Sequence, residues 1–220
     1  MQQEETFLHR PSIRIPLPDH LKGLLVDDWE NVTKSLQLIP LPHPHPITSL
    51  LAAYAAHEAP RRRPGSADAD ILEEVLQGVR EYFDKSLGRI LLYRFERQQW
   101  LEVREKMMVE PASTSVTKPS STKEDESMAD DNDDEDDEDD VKKFAGKTPS
   151  DVYGAEHLCR LFVSMPELVA QTNMDAQSVA RLREELVKLT NWLGKESARW
   201  FVKAYVDPGV EYVEKSKGTG

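Results

Sequence analysis

Apolar residues recur every three or four positions along six stretches of the chain, the period of one helical face. The first spans 19–36, with Pro18 ahead of it to stop the chain running in as helix and Asp19 as the expected N-cap. The second covers 47–57, ITSLLAAYAAH. The third covers 70–87, where Ile71, Leu72, Val75, Val79, Tyr82 and Phe83 carry the pattern. Past Gly88 a fourth runs over 89–107 through Phe95 and Trp100. The fifth, 149–171, opens with the start signal Thr148-Pro149-Ser150 and lines Leu158, Leu161, Phe162 and Met165 on one face. The sixth, 175–201, is capped by Asp175 and repeats Val179, Leu182, Leu186, Leu189 and Leu193. A two-residue period appears once, in PSIRIPLP at 11–18, and reads as a short extended segment or edge strand. The prolines of LIPLPHPHP, 38–46, fix φ and make a semi-rigid connector. The pattern predicts a mainly α, bundle-like domain over 11–206 with a short N-terminal extended segment, and flexible ends at 1–10 and 207–220.

The first helix has more apolar surface than a core requires. At about 100° per residue, Leu21, Val32, Leu25, Leu36 and Trp29 fall within a stripe of roughly 80°. Leu24 and Val26 lie outside opposite edges of that stripe and widen the arc to roughly 200°, against the ~100° of an ordinary surface helix.

Between the fourth and fifth helices the character changes. Residues 109–148 are Ser-, Thr-, Pro- and Lys-rich, then acidic, and contain too little apolar area to offset the entropy of ordering them. They read as a disordered insert. Charge sharpens this division. The 220 residues carry a net charge of −12, but EDESMADDNDDEDDEDD at 124–140 holds 13 acids and no base. Removing those 13 from the 40 acids leaves 27 against 28 bases, a balance of +1. Nothing in the charge of the remainder calls for nucleic acid. Within the insert, Ser127 followed by Asp130 is open to acid-directed phosphorylation, and the run itself is either a solubilising spacer or a surface for basic partners.

The candidate chemistry is sparse. Cys159 is the one cysteine, set in the apolar HLCRLFV, and reads as a buried structural thiol in a reducing compartment. His43 and His45 form an H-x-H pair, but with no Cys or carboxylate near them in sequence they make a poor cage, and no metal or other cofactor is expected. No phosphate loop, Walker motif or G-x-S-x-G is present. Asp27 and Asp28 point about 100° apart on a helix and suit a solvated face or an ion pair. Asp28, between Leu24 and Leu21 on the helical wheel, is expected to pair with Arg94 or Arg97. The RRR at 61–63 reads as a solvated loop, or alternatively as a nuclear-import or phosphate contact. Asn31-Val32-Thr33 fits a glycosylation pattern by chance, inside a helix. No run of 18 apolar residues exists, and the N-terminus has no signal-peptide core.

Three segments in order, IPLPDHLKGLLVDDWENVTKSLQLIPLP, REYFDKSLGRILLYRFERQQW and DVYGAEHLCRLFVSMPELV, closely resemble the MRG domain of the mortality-factor-related chromatin proteins, in a fungal-like member with an acidic insert. The resemblance implies a helical, non-enzymatic module of nuclear histone deacetylase and acetyltransferase complexes. Such a module docks partner subunits through short Phe-x-Leu-Pro-like motifs in an apolar groove, with neither small-molecule substrate nor membrane. The positions matching that groove are Ile15, Leu25, Val26, Trp29, Tyr93 and Val163. Ser164 departs from the family, which often has a base there, so a polar contact to the partner is missing. Too little chain precedes the domain for the chromodomain such proteins carry, so the resemblance implies a piece of a longer protein that contacts nucleosomes as a whole. The rival class is a helical DNA-binding module, which needs a basic stripe that the near-neutral balance disfavours.

Overall fold

The computed structural model describes residues 15–109, 141–170 and 172–218. The expectations for 1–14, for the acidic run and for Ser127 lie outside the described residues. Residues 15–18 form no strand, and Ile15 and Leu17 are buried in the main core. The sole sheet-like pairing among the described residues is the antiparallel bridge between Leu38 and Val206.

Helix α1 is Asp19–Thr33. Its cap position is Pro18, which has extended backbone angles and no side chain to accept a bond. Asp19 is therefore the first helical residue, and its carboxylate takes Lys22 at 2.7 Å instead of capping. The helix ends three residues short of expectation because the chain turns over: Ser35 N–H donates to Glu30 O, Gln37 N–H to Asn31 O, and Leu36 sits at φ 54°. Of its apolar arc, Leu21 and Val32 are fully buried together with Asp28, so the core side is centred nearer Leu21 than the sequence stripe implied.

Helix α2 (Ile47–Glu58) buries Ile47, Leu50, Leu51 and Tyr54, and α3 (Ala67–Ser86) buries Leu72, Leu76, Val79 and Phe83. Ser66 caps α3 by accepting the Ala69 N–H. The fourth stretch is not one helix. A π-helical turn covers Leu87–Leu91, a 3₁₀ turn covers Arg94–Glu96, and α4 covers only Arg97–Met107. Leu87, Leu91, Leu92 and Phe95 are all buried, and the turns aim them at two separate cores. The break also admits Trp100 against Gly88, where a Cβ would lie 2.6 Å from the indole nitrogen.

The insert is shorter at its C-terminal end than its composition suggested. Residues 141–144 make a helical turn, Phe144 is 4% exposed within the main core, and Gly146 N–H donates to Met107 O at 3.2 Å. One aromatic side chain anchors this end despite its polar neighbours.

Helix α5 (Pro149–Val152) starts as its signal implies, with a Thr148–Asp151 capping box, but stops after four residues. The carbonyls of Val152 and Tyr153 are taken by the N–H groups of His43 and Ile47, so the proline connector consumes acceptors that a continuing helix would need. Gly154 lies under the His43 ring, where a Cβ would come within 2.3 Å.

Helix α6 (Ala155–Ala170) crosses the centre of the domain and buries Leu158, Cys159, Leu161 and Phe162. Helix α7 (Ala176–Lys195) is capped by Asp175, which accepts from Gln177 and Ser178, and the chain then kinks into the single turn α8 (Ser197–Trp200). That kink drives Trp200 into the core. The tail is not all loop: α9 (Val210–Gly218) returns to cover a small second core of Val32, Leu38 and Phe95 with Tyr212 and Val213. A helix of nine residues with few apolar positions gives little periodic signal.

Candidate docking surface

The site is built on a buried charge cluster. Arg160 on α6 uses all five of its N–H donors. It bonds Asp28 through Nε and Nη2 at 2.8 and 2.9 Å, Glu96 through Nη1 and Nη2 at 2.6 and 3.1 Å, and the Leu91 carbonyl at 3.0 Å. The partner of Asp28 is thus Arg160, in place of Arg94 or Arg97, which are both exposed. Those two face solvent because the 3₁₀ turn points Phe95 and Glu96 inward. Glu96 also bonds His157 at 2.9 Å and accepts the Tyr93 N–H. Burial alone would raise the Glu96 carboxyl, but the charges of Arg160 and His157 outweigh it and hold it at about 2. Tyr205 donates to Asp28 at 2.8 Å, and the Tyr93 ring lies 4.0 Å from the guanidinium carbon of Arg160. Helix α1, helix α6, the turn before α4 and the C-terminal arm are locked together at this point.

Helices α1 and α6 also carry exposed apolar side chains. Trp29 follows Asp28 in sequence and is 43% exposed, Val26 is 55% exposed, and Val163, one turn beyond Arg160, is 57% exposed. Tyr93 is half-buried over the cluster. Of these four residues named from sequence, Trp29 follows Asp28, Val163 is one turn from Arg160 and Tyr93 stacks on Arg160, while Val26, two residues before Asp28, lies on the other side of α1 from it. The other two differ. Ile15 is 9% exposed and belongs to the core, and Leu25 is half-buried against it. Ile90, exposed on the π-helical turn that packs on α6, was not anticipated, nor were Glu96, Arg160 and Tyr205. A charge amid the apolar HLCRLFV was the one visible sign of Arg160.

His43 Nε2 faces Glu156 at 3.2 Å in the interior, His45 packs edge-on to Trp200, and no group of three or more metal-ligating side chains occurs among the described residues. Burial pushes the Cys159 thiol up, away from reactivity. Of the three arginines, Arg62 is buried on Glu185, while Arg61 and Arg63 are exposed. No helix among the described residues is long and apolar enough to cross a membrane.

Residues 1–207 match the MRG family. The chain belongs to that family. Among relatives, the chromatin modification-related protein eaf3 of Emericella nidulans is 48% identical over 218 residues, covering 99% of this chain and 56% of the relative. The protein of the same name from Yarrowia lipolytica is 42% identical over 219 residues, covering 99% and 48%. Mortality factor 4-like protein 1 of Homo sapiens is 32% identical over 201 residues, covering 91% and 45%. The chain spans about half the length of these curated relatives. As the MRG resemblance implied, the domain is mainly α-helical. The Ser164 hydroxyl of this MRG domain bonds back to the Arg160 carbonyl at 3.2 Å and so brings no charge to the patch.

Proposed function

We propose that this MRG domain is a non-enzymatic docking module of a nuclear chromatin protein. In this reading it holds subunits of histone deacetylase or acetyltransferase complexes by Phe-x-Leu-Pro-like segments laid on Val26, Trp29, Tyr93 and Val163. The observation that supports this most is the exposure of three large apolar side chains on the two helices that the Arg160–Asp28 pair locks together, with all five Arg160 donors used. Such a base is rigid, and apolar anchors on a rigid base lose little entropy on binding. The relatives' names, chromatin modification-related protein and mortality factor, support the chromatin setting.

The test is calorimetry with a synthetic Phe-x-Leu-Pro peptide. Val26 lies off the buried side of α1, so Val26→Asp keeps its melting midpoint while affinity falls by about 30-fold or more, the scale of a lost hot spot. A folded Val26→Asp with unchanged affinity sinks the reading. The DNA-binding rival is checked by anisotropy with random duplex at physiological salt, where binding no tighter than about 10⁻⁶ M is expected.

A further inference from the structure

The outer side of α1 does not stop at Trp29. Thr33 lies one turn beyond it and donates to the Trp29 carbonyl at 2.6 Å, and Leu36 follows where the helix has turned over. Leu36 is anomalous on two counts. Its φ of 54° is a conformation that favours glycine or asparagine, and its side chain remains exposed. A leucine there serves neither the turn nor the core. It borders a cleft of about 320 Å³ lined by Thr33, Leu36, Arg94, Phe95, Val213 and Ser216. The walls are apolar apart from two hydroxyls and one guanidinium. Arg94 is exposed at the rim and has no ion pair among the described residues, whereas nearby Lys34 is occupied by Glu30 at 2.7 Å and by the Trp29 ring at 4.6 Å.

We propose that this cleft is a second subsite for the same partner segment, taking an apolar side chain of leucine size whose neighbour is a carboxylate bound by Arg94. This rests on the docking function proposed above and extends it by ligand class: an extended peptide with an apolar–acidic pair at a set distance from its aromatic anchor. The distance follows from helix geometry. The seven residues from Val26 to Thr33, where the helix ends, rise about 10.5 Å, which an extended peptide at about 3.3 Å per residue crosses in roughly three residues. The C-terminal arm, through Val213 and Ser216 of α9, forms the far wall, so α9 becomes part of the recognition surface.

The test uses the 220-residue chain and three fluorescent peptides. One carries Phe-x-Leu-Pro flanked by Ser and Gly. The others add Leu-Glu about three residues before or after that core. One of the two extended peptides binds about fivefold tighter than the core peptide. Leu36→Gly and Arg94→Glu each abolish that gain while binding the core peptide as the unaltered protein does. Leu36→Gly suits the turn, so its fold is preserved. Replacing Glu by Lys in the tighter peptide restores the gain with Arg94→Glu. Equal affinity for all three peptides, or a gain that survives both substitutions, overturns the subsite while leaving the docking function standing. Failure of the core peptide to bind overturns both.

Discussion

The Arg160 cluster and the Val26–Trp29–Val163 patch sit on the same two helices and reverse the usual arrangement, with charge inside and large apolar side chains outside. The difference lies in how fully each is partnered. Every donor of Arg160 is used, and its carboxylates are held by two helices, a turn and the C-terminal arm. Such a group contributes little net stability over an apolar replacement of the whole set, yet losing one member leaves buried charge without a partner. The patch side chains have solvent on one side and nothing in the described fold to cover them. The lesson is that position in the fold and role in the fold separate here: the polar residues fix the architecture and the apolar ones are left available.

The largest effect expected from this contrast comes from Arg160→Met. It strips the buried Asp28 and Glu96 of their shared guanidinium, leaving Asp28 with only the Tyr205 hydroxyl and Glu96 with His157 and the Tyr93 N–H, costing about 3–5 kcal/mol. For a domain of this size that lowers the thermal midpoint by at least about 6 °C. Trp29→Ala changes the midpoint far less while removing peptide binding. If Arg160→Met melts with the unaltered protein, the cluster is not the structural element described.

A similar contrast holds at the acidic insert. Phe144 is in the main core, and Phe144→Ala is expected to cost about 3 kcal/mol. Deleting 110–140 spares it, and the bond from Gly146 to Met107 keeps the chain ends near each other, so closure costs little. Thermal unfolding of the two variants should show a large drop for the first and a shift within about 3 °C for the second. A larger drop on deletion would mean the run packs on the domain.

Much of this arrangement was legible in the chain. Long periodic stretches such as those ending in Leu193 or Phe83 mark helices because one face must be buried over many turns. Leu24 and Val26 were visible as surplus beside the stripe that holds Trp29, though Leu24 packs against the core and only Val26 is left exposed. What was hidden depended on contacts distant in sequence. The wheel placed Asp28 at a buried edge but could not say that its partner lies 132 residues away on α6. The break at Tyr153 arises because a connector more than 100 residues earlier takes the carbonyls at that point. Phe144 was hidden in a polar stretch, and α9 was too short for its period to register. In each case a single long-range contact overrides local composition.

Acid offers a finer probe of the same contrast. The Glu96 carboxyl is lowered from an ordinary value of 4.5 to about 2. A depressed carboxyl contributes stability that is complete above its unfolded value and lost as pH falls through the folded one, here from roughly 4.5 down to 2. Glu156, lowered against burial by its bond to His43, adds to the same loss. Urea midpoints across that range should therefore fall steeply for the unaltered protein and less steeply for Glu96→Gln, in which Glu156 still titrates. Val26→Asp adds a solvated carboxylate and should leave the slope unchanged. Equal slopes for Glu96→Gln and the unaltered protein would remove Glu96 as the acid-sensitive member of the cluster.

The smallest effect tests whether cluster and patch are separable at all. Tyr205 reaches Asp28 from the C-terminal arm, and Tyr205→Phe removes one hydroxyl while Asp28 keeps both bonds to Arg160. A cost of about 1–2 kcal/mol follows for a hydrogen bond to a charged group whose other bonds persist. Tyr93 rests on Arg160 and not on Tyr205, so peptide affinity should change by no more than about twofold to threefold, under 1 kcal/mol. Calorimetry and urea unfolding on one preparation give both numbers. If Tyr205→Phe weakens the peptide as strongly as Trp29→Ala while stability holds, the arm positions the patch directly, and the division between a fixed interior and an available surface fails.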